Sequence, residues 1–407
     1  MKPIPAKRWL LLLLPLLILP ALTFQLRSKQ PRRELPHDAY IWQHRWTPAV
    51  TAALGQNSDV IRAWRVLVAE LDSGGRWWLT SIDSGALRRS ARPVILVIRI
   101  DGARANWDDR RIQSDIDGLI NNRRRTGLRI AGVEIDHDSG VAGLKVYTRF
   151  IAGLRARLDP TVPLSITALP AWLASPDAYR LFAEADEIVL QVHAVRNPHA
   201  GLFDRAWARD WIDELSRRTR KPFRVALPAY GSRVSWRADG GLLAVESEAP
   251  LLAGGDSATE LMASPEDVSA LLRDLEDDPP PNLSGIVWFR LPTAEDQRAW
   301  GIETWRAVIL NQPLRPHIEA IVRGSGTPGM NNLVLANTGN VDVQLPRSVE
   351  LPSSCSIGDG VNGYTLGIRT GGIKLERLQA GLLRSRYQLI VGWIRCAPEV
   401  KAIHVRP

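Results

Sequence analysis

Three acids on alternate positions, Glu134, Asp136 and Asp138, stand in the octet Ala131-Gly132-Val133-Glu134-Ile135-Asp136-His137-Asp138. In a β-strand alternate side chains share a face, so these carboxylates form a ladder with steps of roughly 6–7 Å. Uncompensated buried charges cost several kcal/mol each, as an order of magnitude, so such a ladder faces a polar cavity or carries proton chemistry. Like charges at this spacing disfavour one another's ionisation, which suits an acid that must hold a proton. A solvated edge strand is the alternative reading. Val133 and Ile135 argue against it, because they require burial of the opposite face. Gly132 before the ladder and Ser139-Gly140 after it fit a strand that ends in a loop at the rim of a site.

A strand carrying this ladder needs neighbours, and the chain supplies them. Short aliphatic runs at Tyr40–Trp46, Arg65–Leu71, Val94–Ile100, Gly132–Asp136, Leu164–Ala168, Glu187–His193, Phe223–Pro228 and Gly285–Arg290 read as strands. Amphipathic stretches between them, such as 110–125, 140–158, 176–185, 203–219 and 265–275, read as helices. Pro265 behind Ser264 has the form of an N-cap followed by proline at the first helical position. Alternating strands and helices predict an α/β fold, a (β/α)8 TIM-type barrel. An open doubly wound sheet is the alternative, but no Gly-x-Gly-x-x-Gly turn supports a nucleotide site, and no cofactor is expected. The stretch 237–263, with Gly240-Gly241 and Gly254-Gly255, reads as a long loop walling a groove.

Catalytic groups in such barrels sit at the C-terminal strand ends. Those ends carry Trp42 and His44, Glu70 and Asp72, Asp101, Asp136 and Asp138, Gln191 and His193, Tyr230, and Trp288 and Arg290. Acids, amides and indoles at one rim suit a sugar, whose ring faces stack on aromatics while its hydroxyls find carboxylates. Each residue also has a plainer reading: Trp42 or Trp288 as core, His193 as an orienting hydrogen-bond partner, Asp101 as the opening of a turn.

After about residue 312 the pattern changes to short alternating segments separated by Gly, Pro, Asn and Ser, which reads as a small β-sandwich-like domain. Its Asn337-Thr338-Gly339-Asn340 run is a tight-turn signal. The only two cysteines, Cys355 and Cys396, lie here. In an oxidising compartment they can close a loop of about forty residues, worth roughly 3–4 kcal/mol; two free thiols are the alternative, and a metal site is not expected.

Lys2, Lys7 and Arg8 precede an apolar run from Trp9 to Phe24, the layout of an export signal. The expected organisation is a signal peptide or signal anchor over 1–24, a basic linker over 25–36, the barrel over 37–312 and the accessory domain over 313–407. The protein is thus expected in the periplasm or otherwise outside the cytoplasm, with the inner-membrane surface as a partner if the signal is retained. The net charge is +9, but the cations are scattered (Arg123-Arg124-Arg125, Arg217-Arg218, Lys221) and not interleaved with aromatics, so nucleic acid is not expected.

The octet is similar to the fourth-strand signature of family 18 glycoside hydrolases, Asp-Gly-x-Asp-x-Asp-x-Glu. Gly132 matches its glycine and Asp136 its central acid; Glu134 stands for an Asp, Asp138 for the proton-donating Glu, and Ala131 for the first Asp. Over about residues 36–310 the chain resembles a bacterial family, the domain of unknown function 3142, with its Ile-Asp-x-Asp-like fourth strand and Gln-x-His sixth strand. The resemblance implies an extracytoplasmic barrel acting on a bacterial, N-acetylated polysaccharide or oligosaccharide. It implies Asp138 as proton donor, Asp136 stabilising an attacking N-acetyl group, Tyr230 holding that group's carbonyl and Trp288 as the base of the cleavage subsite. A barrel that binds polysaccharide without cleaving it is the first alternative. A metal-dependent deacetylase using Asp136, Asp138 and His193 as ligands is the second.

Overall fold

A computed structural model of the protein describes residues 33–102, 108–193, 201–237, 242–246, 257–296, 298–351, 354–369, 372–378, 381–396 and 404–406. The expected signal and most of the linker lie outside these residues, and so does that part of the localisation reading. Among the described residues no helix is long and apolar enough to cross a membrane.

Eight parallel strands close on themselves: β1 (His37–Ile41), β2 (Ala63–Leu71), β3 (Val94–Ile100), β4 (Ile130–Asp136), β5 (Leu164–Ala168), β6 (Glu187–Gln191), β7 (Phe223–Pro228) and β8 (Leu283–Phe289). Closure is made at β1, which pairs with β8 through His37 and Ile286 and with β2 through Asp38 and Ala63. A helix follows each strand: α1 (Pro48–Asn57), α2 (Ser84–Arg89), α3 (Asp109–Arg125), α4 (Leu144–Arg157), α5 (Pro176–Glu184), α6 (Arg205–Arg218), α7 (Pro265–Asp277) and α8 (Ile302–Ile309). This is the (β/α)8 barrel that the alternation predicts.

The strands are apolar nearly throughout because both faces are covered. Outward side chains such as Trp64, Val66, Leu96, Ile98, Val133 and Ile135 pack under the helices. Inward ones, Tyr40, Val97, Val189, Ala226 and Val287, fill the barrel. Helix starts follow local chemistry: Asp83, Asp108, Ser175, Asp204 and Ser264 each accept a hydrogen bond from a backbone N–H of the first turn. Helices α5 and α7 also carry proline in the first turn, as Ser264-Pro265 announces.

The floor of the barrel is ionic. Arg65 on β2 is fully buried and bonds Glu134, Asp38 at 3.2 Å and Glu187 at 2.6 Å. Arg224 on β7 adds a second cation, 2.9 Å from Glu187 and 3.5 Å from Asp38. Tyr40 donates to Glu134 at 2.5 Å and Ser165 to the same carboxylate at 3.1 Å. Five charged groups from five strands thus pair with one another in the barrel, which offsets the cost of burying them.

The segment expected as one long loop after β7 is not simply a loop. Strands Gly231–Trp236, Leu242–Glu246 and Ser257–Met262 form a three-stranded antiparallel sheet there. A short strand, Trp77–Leu79, also turns back onto β2. Beyond Ile318 the chain forms small antiparallel sheets, two of four strands and one of two, around Leu333, Leu335, Val349, Leu375, Val391 and Ile394. Cys355 and Cys396 are joined in a disulfide between paired strands. Asn337 closes the following turn, accepting from the Gly339 N–H at 3.0 Å.

Candidate functional site

Glu134 and Asp136 on the inner face of β4 and Asp138, two residues past its end, lie at three depths. Glu134 is fully buried in the floor, tied to Arg65, Tyr40 and Ser165. Its expected catalytic role is therefore corrected: it is a structural member of the ionic layer. Asp136, one step higher, is also buried and held from three sides. Arg99 lies at 2.7 Å, the Thr167 hydroxyl at 2.7 Å and the Gln191 amide at 3.5 Å. Asp138 stands at the mouth with its side chain 47% exposed. Partial burial and the neighbouring Asp136 raise its pKa above the usual carboxylate range, opposed by Arg99, with Asp101 adding to the rise.

Arg99 was not among the residues expected at the site, yet it organises the mouth. Besides Asp136 it contacts Asp138 at 3.3 Å, Glu70 at 3.7 Å and Asp101 at 3.9 Å. Glu70 in turn bonds His44 Nε2 at 2.6 Å. One guanidinium thus stands among four carboxylates. The signal available in the sequence was a single cation inside Val-Ile-Leu-Val-Ile-Arg-Ile, on the same parity as the inward Val97.

Aromatic rings form the opposite wall. Phe289, at the end of β8, lies 5.2 Å from Trp42, 5.2 Å from Tyr230 and 5.5 Å from the His193 ring stacked on it. His193 Nδ1 faces the Ala226 carbonyl oxygen at 3.2 Å, and burial lowers its pKa to about 4, so the ring is neutral at pH 7. The structure therefore brings Trp42, His44, Asp101, Asp136, Asp138, Gln191, His193 and Tyr230 to one rim.

Three other expectations are corrected. Trp288 is not the base of the cleft. It points outward, packs on Trp300 and Trp305, and donates to His37 Nδ1 at 3.1 Å. Strand parity explains this, since Val287 and Phe289 are the inward residues. Arg290 is buried and paired with Asp296 at 2.7 Å. Asp72 is used by the hairpin after β2, accepting from the Arg76 N–H at 2.9 Å and the Trp78 indole at 3.0 Å.

Beside the mouth a groove of about 820 Å³ runs past His44, Trp46, Thr51 and Asp83, within the ~300–1,000 Å³ of ordinary ligand sites. Among the described residues no group of three His, Cys, Asp or Glu side chains is arranged to hold a metal ion.

The closed (β/α)8 barrel carries an acid pair at its mouth, Asp136 at the end of β4 and Asp138 two residues beyond it. Residues 90–294, half of the chain, match the family described as a domain of unknown function, DUF3142, and the protein belongs to that family. Residues 321–397 match a second domain of unknown function, DUF8456. No curated protein matches. Among solved structures, the spore cortex-lytic enzyme SleL of Bacillus cereus is similar, with 12% identity over 70% of this chain and 75% of that one and a TM-score of 0.50. A chitinase from Chromobacterium violaceum shows 16% identity over 69% of this chain and 100% of its own, with a TM-score of 0.47. At such identities the likeness is one of fold.

Proposed function

We propose that this protein is an exported hydrolase of bacterial polysaccharide, with Asp138 as the proton donor. The observation that carries the reading is the Asp136–Asp138 pair at the barrel mouth. One member is buried and locked from three strands; the other is half exposed, with its pKa raised. Asp138 gives its proton to the glycosidic oxygen as the bond to the anomeric carbon breaks. Asp136 lies beside it on the same strand, whereas a covalent nucleophile belongs about 5–5.5 Å away across the sugar. An N-acetylated substrate supplies its own nucleophile, the acetamido oxygen. Asp136 then stabilises the positive charge that develops on that group, Tyr230 orients it, and Trp42 and Phe289 offer ring faces for stacking. Water later opens the cyclic intermediate and returns the proton to Asp138. Export is supported by the basic and apolar N-terminal residues and by the Cys355–Cys396 disulfide.

A second reading, a barrel that binds polysaccharide without cutting it, is favoured by one observation. Arg99 lies on Asp138, whose side chain is a methylene shorter than the glutamate of the family 18 signature. Metal-dependent deacetylation has less support, because Arg99, itself a cation, already pairs with both acids that would ligate the ion, Asp136 at 2.7 Å and Asp138 at 3.3 Å. The test is to assay released reducing ends and binding together on N-acetylated and deacetylated polyglucosamine and other bacterial glycans. Cleavage lost in Asp138→Asn and untouched by a chelator is the expected result. Equal binding by both proteins with no cleavage by either would establish the binding module instead, and chelator-sensitive release of acetate without new reducing ends would restore the deacetylase.

A further inference from the structure

Arg99 carries more than its absence from the family 18 signature would imply. It sits on the inner face of β3, in register with Asp136 of β4, and its side chain is only 27% exposed. Nη1 reaches Asp136 and Nη2 reaches Asp138, at 2.7 and 3.3 Å. A planar guanidinium offers its donors as a rigid fork, so one side chain can bridge two acids and fix their separation; an ammonium cannot.

We propose that Arg99 is a positioning residue of this site, a clamp that draws the Asp138 carboxylate toward β3, couples it to Asp136 and sets the pH at which the pair gains its proton. The proposal rests on the reading of Asp138 as the working acid. Among the described residues, the charged groups acting on Asp138 are Asp136 beneath it, Arg99 of β3 and Asp101 just past that strand, with Glu70 of β2 against Arg99 and the Tyr147 phenol of α4 behind the strand. Arg99 is the cation of that set. Its charge favours the ionised form of Asp138, while the neighbouring carboxylates favour the protonated form. Removing it leaves repulsion unopposed, and the proton is then held to a higher pH. Substrate has a matching effect: a sugar that displaces the guanidinium from Asp138 leaves Arg99 on Asp136 and releases Asp138 to take up the proton it must donate.

The decisive experiment titrates the Asp138 side-chain carboxyl by carbon-13 NMR in the full chain, with the resonance assigned through Asp138→Asn. Wild type, Arg99→Gln and Arg99→Lys are compared. The midpoint is expected to rise by about one pH unit in Arg99→Gln and to return most of the way in Arg99→Lys. An unmoved or lowered midpoint in a folded Arg99→Gln protein overturns the proposal. If Arg99→Gln does not fold, Arg99→Lys decides alone. Lysine keeps the charge but reaches one carboxylate at a time, so the Asp138 midpoint must still lie above that of the wild type, and an unmoved or lowered midpoint refutes the clamp. No turnover is needed, so the result stands apart from the hydrolysis assay. Where turnover is found, its alkaline limb must move up with the Asp138 midpoint.

Discussion

The two ends of this barrel are built from the same chemistry and do opposite things with it. At the floor, Arg65 and Arg224 meet Asp38, Glu134 and Glu187, with side-chain exposures from 0 to 21%. At the mouth, among the described residues, Arg99 alone meets Glu70, Asp101, Asp136 and Asp138, whose exposures reach 59%. Nearly balanced charge out of water makes a fixed layer that ties strands together. An excess of carboxylate beside water makes a set of groups whose protonation can change. The lesson is that a row of alternating acids is not one site: depth along the barrel axis divides the fixed ionic layer that holds Glu134 from the cluster that Asp136 and Asp138 form toward the mouth.

The largest expected effect tests the floor. Arg65→Ala removes the cation shared by three carboxylates and leaves buried charge without a partner, a loss of about 3–5 kcal/mol. Urea unfolding of the variant measures it. A loss below about 1 kcal/mol would mean that the floor is not the fixed layer described here.

A somewhat smaller effect uses one histidine from each end. Burial lowers both His37 and His193 from 6.5 to about 4, with Arg224 adding to the shift of His37. The unfolded chain takes up these protons near pH 6.5, the folded chain only near pH 4. Stability from each neutral ring is therefore complete above pH 6.5 and is lost as pH falls toward 4, by an order of ~3 kcal/mol per group. The slope of unfolding free energy against pH in this window should flatten in His37→Gln and again in His193→Gln. A slope unchanged by His193→Gln would show that the mouth is wetter on its aromatic side than the stacked Phe289 ring requires.

Much of this architecture is legible in the sequence, and the failures have physical causes. Eight apolar runs mark the eight strands because a parallel barrel buries both faces of each. Parity places Glu134, Asp136 and Asp138 on one face, but parity says nothing of depth. The partner that makes Glu134 structural is Arg65, 69 residues earlier on another strand. Trp288 fails by a single position, since the inward aromatic at the end of β8 is Phe289. Arg65 and Arg99 are each visible as a lone cation in an aliphatic strand, Ala-Trp-Arg-Val-Leu-Val and Val-Ile-Arg-Ile. A charge in such a place must find a counter-charge on an adjacent inner face. Applied to the chain's eight strands, that rule points to both ionic layers.

The smallest expected effect is the sharpest discriminator of the two ends. Asp138→Asn alters a half-exposed carboxyl whose ion pair with Arg99 is open to solvent, and such pairs contribute roughly 0–1 kcal/mol. Asparagine keeps the shape and can still accept from the guanidinium, so urea unfolding at pH 7 should change by less than about 1 kcal/mol. Glu134→Gln makes the same chemical change four residues earlier and deeper in the barrel, where the amide puts an N–H in place of one of the two oxygens that accept from Tyr40, Arg65 and Ser165, and it should cost distinctly more. Equal losses would place Asp138 in the same structural layer as Glu134 and remove the basis for treating the mouth as the reactive end. Unequal losses, with turnover abolished by the cheaper substitution, would separate an acid kept for chemistry from one kept for the fold.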